Sequence, residues 1–90
     1  MSVRVYVADG CPHCAGLLRD FDRRRVRFEV VNLSHAPERI MEVVALTRER
    51  RLPVTVDHER VAVGFSGGSS TFAELHLDFS MASEVRDESG

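Results

Sequence analysis

The chain has no Lys, no Trp, one Tyr, three Pro and two Cys in 90 residues. Without Lys, all twelve basic residues are Arg, and the net charge is −2. A near-neutral chain has too little positive charge to neutralise many phosphates, so nucleic acid is not an expected partner. No apolar run approaches the roughly 20 residues that span a bilayer, and no membrane association is expected. The opening "MSVRVYVADG" has no charged leader, apolar signal stretch or small-residue cleavage site, which gives the expectation of a cytoplasmic location. In that reducing compartment a structural disulfide is disfavoured, so the two thiols point to catalysis or metal binding.

What is present suffices for one small core. Apolar residues make up 43% of the chain and charged residues 29%, and a chain this short supports a single domain. Val3, Val5 and Val7 alternate with Arg4, Tyr6 and Ala8, the period of a strand. Asp9-Gly10 ends it. From Pro12 a helix is expected, with Leu17, Leu18 and Phe21 on one face and Arg23, Arg24 and Arg25 near its C-terminus, where cations oppose the helix dipole. "VRFEVVNL" (26–33) is a second strand by its β-branched and aromatic content. Pro37 opens a second expected helix, about 37–50, carrying Ile40, Val43, Val44 and Leu46. "PVTVD" (53–57) and "RVAVGF" (60–65) flank a tight turn at Asp57-His58-Glu59 and form a hairpin. Thr71 and Glu74 have capping-box spacing and predict a third helix.

The order βαβαββα requires a right-handed parallel crossover followed by an antiparallel hairpin. The expected fold is therefore α/β, a four-stranded mixed sheet with helices on both faces. Residues 1–79 are expected to form the domain. Residues 80–90, small and polar, are expected to be a flexible tail.

"DGCPHC" (9–14) holds both cysteines at a strand-to-helix junction. Pro12 at the first helical position loses nothing, because its missing N–H would have been unpaired there. The remaining free N–H groups and the helix dipole favour a thiolate at Cys11, and such settings lower a cysteine pKa from about 8.5 to roughly 3.5–7.5. Cys14, three residues on, lies within reach of the Cys11 sulfur. Cys11 is thus the expected nucleophile and Cys14 the thiol that resolves the mixed disulfide. A C-x-x-C at this junction in a βαβ pattern is a thioredoxin-like redox signal.

"VYVADGCPHC" and "LPVTVDHERVAVGFSGG" together resemble the glutaredoxin family of the thioredoxin superfamily, over about residues 3–77. The resemblance implies a thiol–disulfide oxidoreductase that reduces disulfides or glutathione mixed disulfides. It implies a cis peptide bond at Pro53 beside the active cysteine, with the Leu52 backbone pairing with substrate. Arg50 occupies the place of an Arg that meets the glycyl carboxylate of glutathione, and Arg51 stands where a Thr is usual. Gly67-Gly68-Ser69-Ser70 matches the loop whose N–H groups hold the γ-glutamyl carboxylate. Two departures stand out: Ser69, Ser70 and Thr71 replace frequent acidic residues, and Ala8-Asp9-Gly10 stands in the region of a frequent Lys. His13 replaces a common Tyr. A His between the cysteines resembles periplasmic disulfide-introducing oxidases, which implies that His13 tunes the redox potential.

No bound cofactor is expected, and glutathione is a possible co-substrate. The expected partner is glutathione or a disulfide-containing protein, met by a monomer. Alternatives remain. The donor is glutathione or a thioredoxin reductase, as for the glutaredoxin-like electron donors of ribonucleotide reductase. A metal or iron–sulfur carrier would need more ligands than Cys11, Cys14 and His13 provide, so no metal site is expected. A non-catalytic binding module would need no acidic thiol. His35, His58 and His76 read as loop, turn and helix-surface residues without a role.

Overall fold

A computed structural model describes residues 3–77. The expected tail, 80–90, lies outside the described residues. Strand β1 (Val3–Val7) runs parallel to β2 (Phe28–Asn32), joined through helix α1 (Pro12–Arg23). A short 3-10 turn, Pro37–Arg39, leads into α2 (Ile40–Thr47). Two residues of β3 (Arg51–Leu52) precede β4 (Val54–Asp57), which turns through His58-Glu59 into β5 (Arg60–Val63). β6 (Ser70–Thr71) follows. The main sheet has the order β2-β1-β4-β5, with β4 antiparallel to both β1 and β5. This is the thioredoxin-like α/β arrangement that the sequence pattern required.

The register assigns the faces. Tyr6 lies opposite Val31 and Val54, and Val54 opposite Val63, so these four share one face. That face receives α2, because the Tyr6 hydroxyl donates to Glu42 Oε1 at 2.7 Å. Val3 and Phe28 pair on the other face, where α1 packs Phe21 against Phe28 with ring centroids 5.5 Å apart. Helices therefore cover both faces of the sheet. Val5, Tyr6, Leu33, Val43, Val54 and Phe72 are fully buried between these layers.

Both observed helices end on residues with positive φ that are not glycine. In α1 the Val26 N–H bonds the Phe21 carbonyl at 2.9 Å and the Arg25 N–H bonds Asp22 at 3.1 Å, with Arg25 at φ 59°. This is a Schellman closure with Arg in the place usually taken by Gly. α2 ends earlier than the expected residue 50, because Arg48 turns left-handed at φ 59° and the Thr47 hydroxyl accepts the Glu49 N–H at 2.9 Å.

The third helix does not form within the described residues. Its capping box is present, with Thr71 N–H on Glu74 Oε1 at 2.9 Å and Glu74 N–H on Thr71 Oγ1 at 3.1 Å. One turn later a second Schellman closure intervenes: Leu77 N–H bonds Phe72 O at 2.8 Å, His76 N–H bonds Ala73 O at 3.2 Å, and His76 sits at φ 61°. The apolar spacing explains the stop. Phe72, Leu75 and Leu77 are all buried, but a continued helix would rotate Leu77 by about 140° from Phe72 and expose one of them. The left-handed residue turns Leu77 inward instead.

Candidate active site

The β1–α1 loop is fixed from the β2 side. Asn32 Nδ2 donates to Asp9 Oδ1 at 3.0 Å, the Asp9 N–H donates to Ser34 Oγ at 3.0 Å, and His35 Nε2 lies 3.1 Å from Asp9 Oδ2. The Asn32 hydrogen bond, with a further contribution from His35, holds the Asp9 carboxyl below its ordinary range. His35, assigned no role from sequence, thus helps set the loop that delivers Cys11. Gly10, at φ 82°, makes the turn into the helix.

Cys11 is the N-cap of α1, with extended backbone (φ −92°, ψ 108°) and Pro12 at the first helical position. Its sulfur takes the role that a Ser or Asp oxygen usually fills and accepts the Cys14 N–H at 3.1 Å. That bond ties one thiol to the backbone of the other. Both cysteines are buried, Cys11 4% exposed and Cys14 2%. Burial first, and then the hydrogen bond with Cys11, pushes the Cys14 thiol well above the usual thiol range.

The Leu52–Pro53 bond is cis, and the Leu52 carbonyl lies 4.0 Å from Cys11 Sγ. Pro53 does not open a strand but separates β3 from β4, and its carbonyl accepts the Gly64 N–H at 2.7 Å. Leu52, whose backbone was expected to meet substrate, is fully buried and pairs with Ser70 across the β3–β6 ribbon. The same pairing sets Ser70 facing Cys11, with Oγ 3.6 Å from the sulfur. Ser70 was expected to offer a backbone N–H to an anion. Its side-chain contact with the thiol had no signal in the local sequence.

The Gly67-Gly68 segment is a tight turn. Phe65 and Gly68 exchange both backbone hydrogen bonds, at 2.8 and 3.0 Å, around Ser66 (φ 55°) and Gly67 (φ 81°). The Gly68 N–H, an expected carboxylate donor, is therefore already bonded to the Phe65 carbonyl. His13 lies against this turn: a Cβ built on Gly68 would fall 2.6 Å from His13 Nδ1. Gly16, one turn further along α1, meets the Phe65 ring in the same way, at 3.2 Å from its Cβ position. Arg51 is exposed and donates from Nη1 to Ser69 Oγ at 3.2 Å. Arg50 is also exposed, and its carbonyl accepts the Phe72 N–H at 2.9 Å.

The structure thus brings Cys11, Cys14, Leu52 and Ser70 together at the sulfur, with His13 resting on Gly68 beside them. Arg50 and Arg51 lie on the exposed side of the ribbon. A cavity of about 270 Å³ between α2 and the 72–77 turn, lined by Leu33, Ile40, Leu75 and Leu77 among others, contains none of the expected site residues. Among the described residues no three His, Cys, Asp or Glu side chains gather as a metal site. No helix among them is long and apolar enough to cross a membrane.

A sheet that presents a C-x-x-C at a helix N-terminus against a cis-proline defines a thioredoxin-fold dithiol protein. Within that class the glutaredoxin family model matches residues 3–61, and the chain belongs to the glutaredoxin family. It is similar in structure to a glutaredoxin from Archaeoglobus fulgidus, at 24% identity and TM-score 0.66, over 89% of this chain and 85% of that one. It is also similar to NrdH-redoxin from Escherichia coli, a glutaredoxin-like protein with a thioredoxin-like activity profile. That likeness has 28% identity and TM-score 0.66, over 72% of this chain and 84% of that one. No curated sequence matches the chain.

Proposed function

We propose that this glutaredoxin is a thiol–disulfide oxidoreductase that works by dithiol exchange through Cys11 and Cys14. The observation that carries the reading is the 3.1 Å bond from the Cys14 N–H to Cys11 Sγ, because it sets one sulfur at a helix N-terminus and the other directly behind it. Cys11 as thiolate attacks one sulfur of a disulfide; a new S–S bond forms, the old one breaks, and the departing thiolate takes a proton from water. Cys14 then gives up its proton and attacks Cys11 Sγ, releasing the second thiolate and leaving a Cys11–Cys14 disulfide. Two electrons have passed to the substrate.

The environment of Cys14 suits its delayed role. Its proton is held by burial and by the adjacent Cys11 sulfur. Once Cys11 is bonded to substrate its negative charge is gone, and that part of the hold disappears when Cys14 is needed as nucleophile.

Glutathione as co-substrate is the first reading of the reductant, with Arg50, Arg51 and the Gly67–Ser70 segment as its carboxylate partners. A protein reductant of the thioredoxin-reductase type is the second. It is favoured by the Gly68 N–H being bonded to Phe65 and by His13 occupying the space over Gly68, and by the likeness to NrdH-redoxin. In either case the protein acts as a monomer in the cytoplasm, without a bound cofactor or metal.

The test is reduction of a protein disulfide such as insulin, driven either by glutathione with glutathione reductase or by NADPH with thioredoxin reductase. Turnover that vanishes in Cys11→Ser supports dithiol exchange, and turnover that survives it overturns the reading. Activity confined to one reductant selects between the two.

A further inference from the structure

Ser70 is buried, 6% exposed. Its hydroxyl oxygen accepts from the Cys11 thiol, at 3.6 Å. The thiol has a second acceptor in the Leu52 carbonyl at 4.0 Å, and the two contacts differ in chemistry. A carbonyl can only accept, so it holds a thiol proton and offers nothing to a thiolate. A hydroxyl also donates. It can accept S–H from the neutral cysteine and turn its own O–H toward the anion, and a bond to an ionised partner is about twice as strong as a neutral one. The Ser70 contact therefore strengthens when Cys11 loses its proton, whereas the Leu52 contact is lost.

We propose that Ser70 Oγ is a second hydrogen-bond donor to the Cys11 thiolate, complementing the Cys14 N–H, and a catalytic residue of the exchange. This rests on the reading of Cys11 as the attacking thiol. The fold supplies the two donors from separate elements: the N–H from the first turn of α1, the O–H from β6 through its pairing with Leu52 beside the cis-proline. Ser70 keeps its proton throughout. When Cys11 attacks, its electron pair forms the bond to the substrate sulfur and the charge leaves with the departing thiolate, so the hydroxyl gains or loses only the strength of its contact. Its effect is on the thiolate population of Cys11.

Of the ionisable groups on the elements around Cys11, Asp9 lies on its own loop, His13 and Cys14 in the first turn of α1, and Arg50 and Arg51 at β3; Arg19, Asp20, Asp22 and Arg23 lie further along α1, and β6 contributes only neutral Ser70 and Thr71. All of these remain in a Ser70 variant, so a change in the titration of Cys11 isolates the hydroxyl.

The test is the pH dependence of iodoacetamide alkylation at Cys11, followed by peptide mass in the full chain. In Ser70→Ala the midpoint should move up by about 0.5–1 unit, making alkylation about three- to tenfold slower below the midpoint. The limiting rate at high pH should be unchanged, and Ser70→Thr should restore the midpoint. The pair Ser70→Thr and Ser70→Val, equal in shape, repeats the comparison should alanine fail to fold. An unmoved midpoint in both hydroxyl-free variants overturns the proposal. So does a reduced limiting rate with an unmoved midpoint, since that is a change of access. Failure of the exchange reading would show separately, as insulin reduction that survives Cys11→Ser, whatever the midpoints do.

Discussion

Cys14 donates its backbone N–H to the Cys11 sulfur across 3.1 Å, while its own thiol is raised well above the ordinary range by burial. Both sulfurs are sheltered, but burial and then the contact with the Cys11 sulfur hold the proton on Cys14, whereas the Cys11 sulfur accepts a backbone N–H. At pH 6, alkylation should label Cys11 at least about tenfold faster than Cys14, as one unit of difference in acidity would give. Cys11→Ser should lose all exchange, and Cys14→Ser should accumulate a trapped mixed disulfide with substrate. Equal labelling of both positions would reverse the assignment.

His13 touches Gly68 closely enough that a methyl group there has no room. Gly68 has no positive φ among those found, so the nearest obstacle to Gly68→Ala is the ring. In a double-mutant cycle, Gly68→Ala should cost stability in the parent chain and little in His13→Ala, with a coupling of about 0.5–3 kcal/mol. A coupling near zero would mean that the ring swings away freely. His13→Tyr should also make the disulfide harder to reduce, and each 30 mV of that change corresponds to about 1.4 kcal/mol. An unchanged potential would leave His13 as a packing residue.

The strand, helix and hairpin order was legible because each element carries a local signal: alternation in Val3–Val7, proline at the first position of α1, a tight turn between β4 and β5. The reactive pair was legible because Cys11 and Cys14 lie in one motif. Two features were not. The end of the 72–77 turn depends on His76 adopting a left-handed conformation, as Arg25 and Arg48 do at the other helix ends, and neither His nor Arg announces that state as Gly does. The Ser70–Cys11 contact joins residues 59 positions apart through a two-residue ribbon too short to have a periodicity.

Away from the site, Tyr6, Glu42 and Arg39 form a chain: Tyr6 donates to Glu42 at 2.7 Å, and Arg39 grips both Glu42 oxygens at 2.9 and 3.1 Å. The Arg39 bonds, then the Tyr6 bond, hold the Glu42 carboxyl below its ordinary value. Its contribution to stability is therefore complete above the unfolded value near pH 4.3 and is lost as pH falls through the lower folded value. Tyr6 is raised, first by burial and then by Glu42, so its contribution is complete below about pH 10 and is lost as pH rises further. Tyr6→Phe should cost about 1 kcal/mol at neutral pH, a fall of roughly 4–8 °C in Tm for a domain of this size. It should also flatten the alkaline limb of the stability profile, measured by thermal melts from pH 3 to 11, whereas Glu42→Gln should flatten the acid limb. A Tyr6→Phe protein with unchanged Tm would show the network to be solvated.

The two candidate reductants make different demands on the ribbon. Glutathione presents two carboxylates, and binding them through this chain requires donors on the β3 side and on the β6 side of Cys11. Arg50 and Arg51 supply the first, each with a planar fork suited to a carboxylate, although Arg51 already holds Ser69. The second side is poorer, because the Gly68 N–H bonds Phe65 and the Ser70 side chain faces the sulfur. If glutathione is nonetheless the donor, the arginines must carry a larger share of its binding. Changing both, Arg50→Ala with Arg51→Ala, should then weaken glutathione-driven turnover by about tenfold, equivalent to roughly 1.4 kcal/mol, and leave dithiothreitol-driven exchange intact. An equal loss with both reductants would mean that the ribbon itself had been disturbed, since β3 positions Leu52 and Pro53 against Cys11. Absence of glutathione turnover in the parent chain, with brisk reduction by thioredoxin reductase, would remove glutathione altogether and leave His13 and Gly68 as part of a surface that meets a protein.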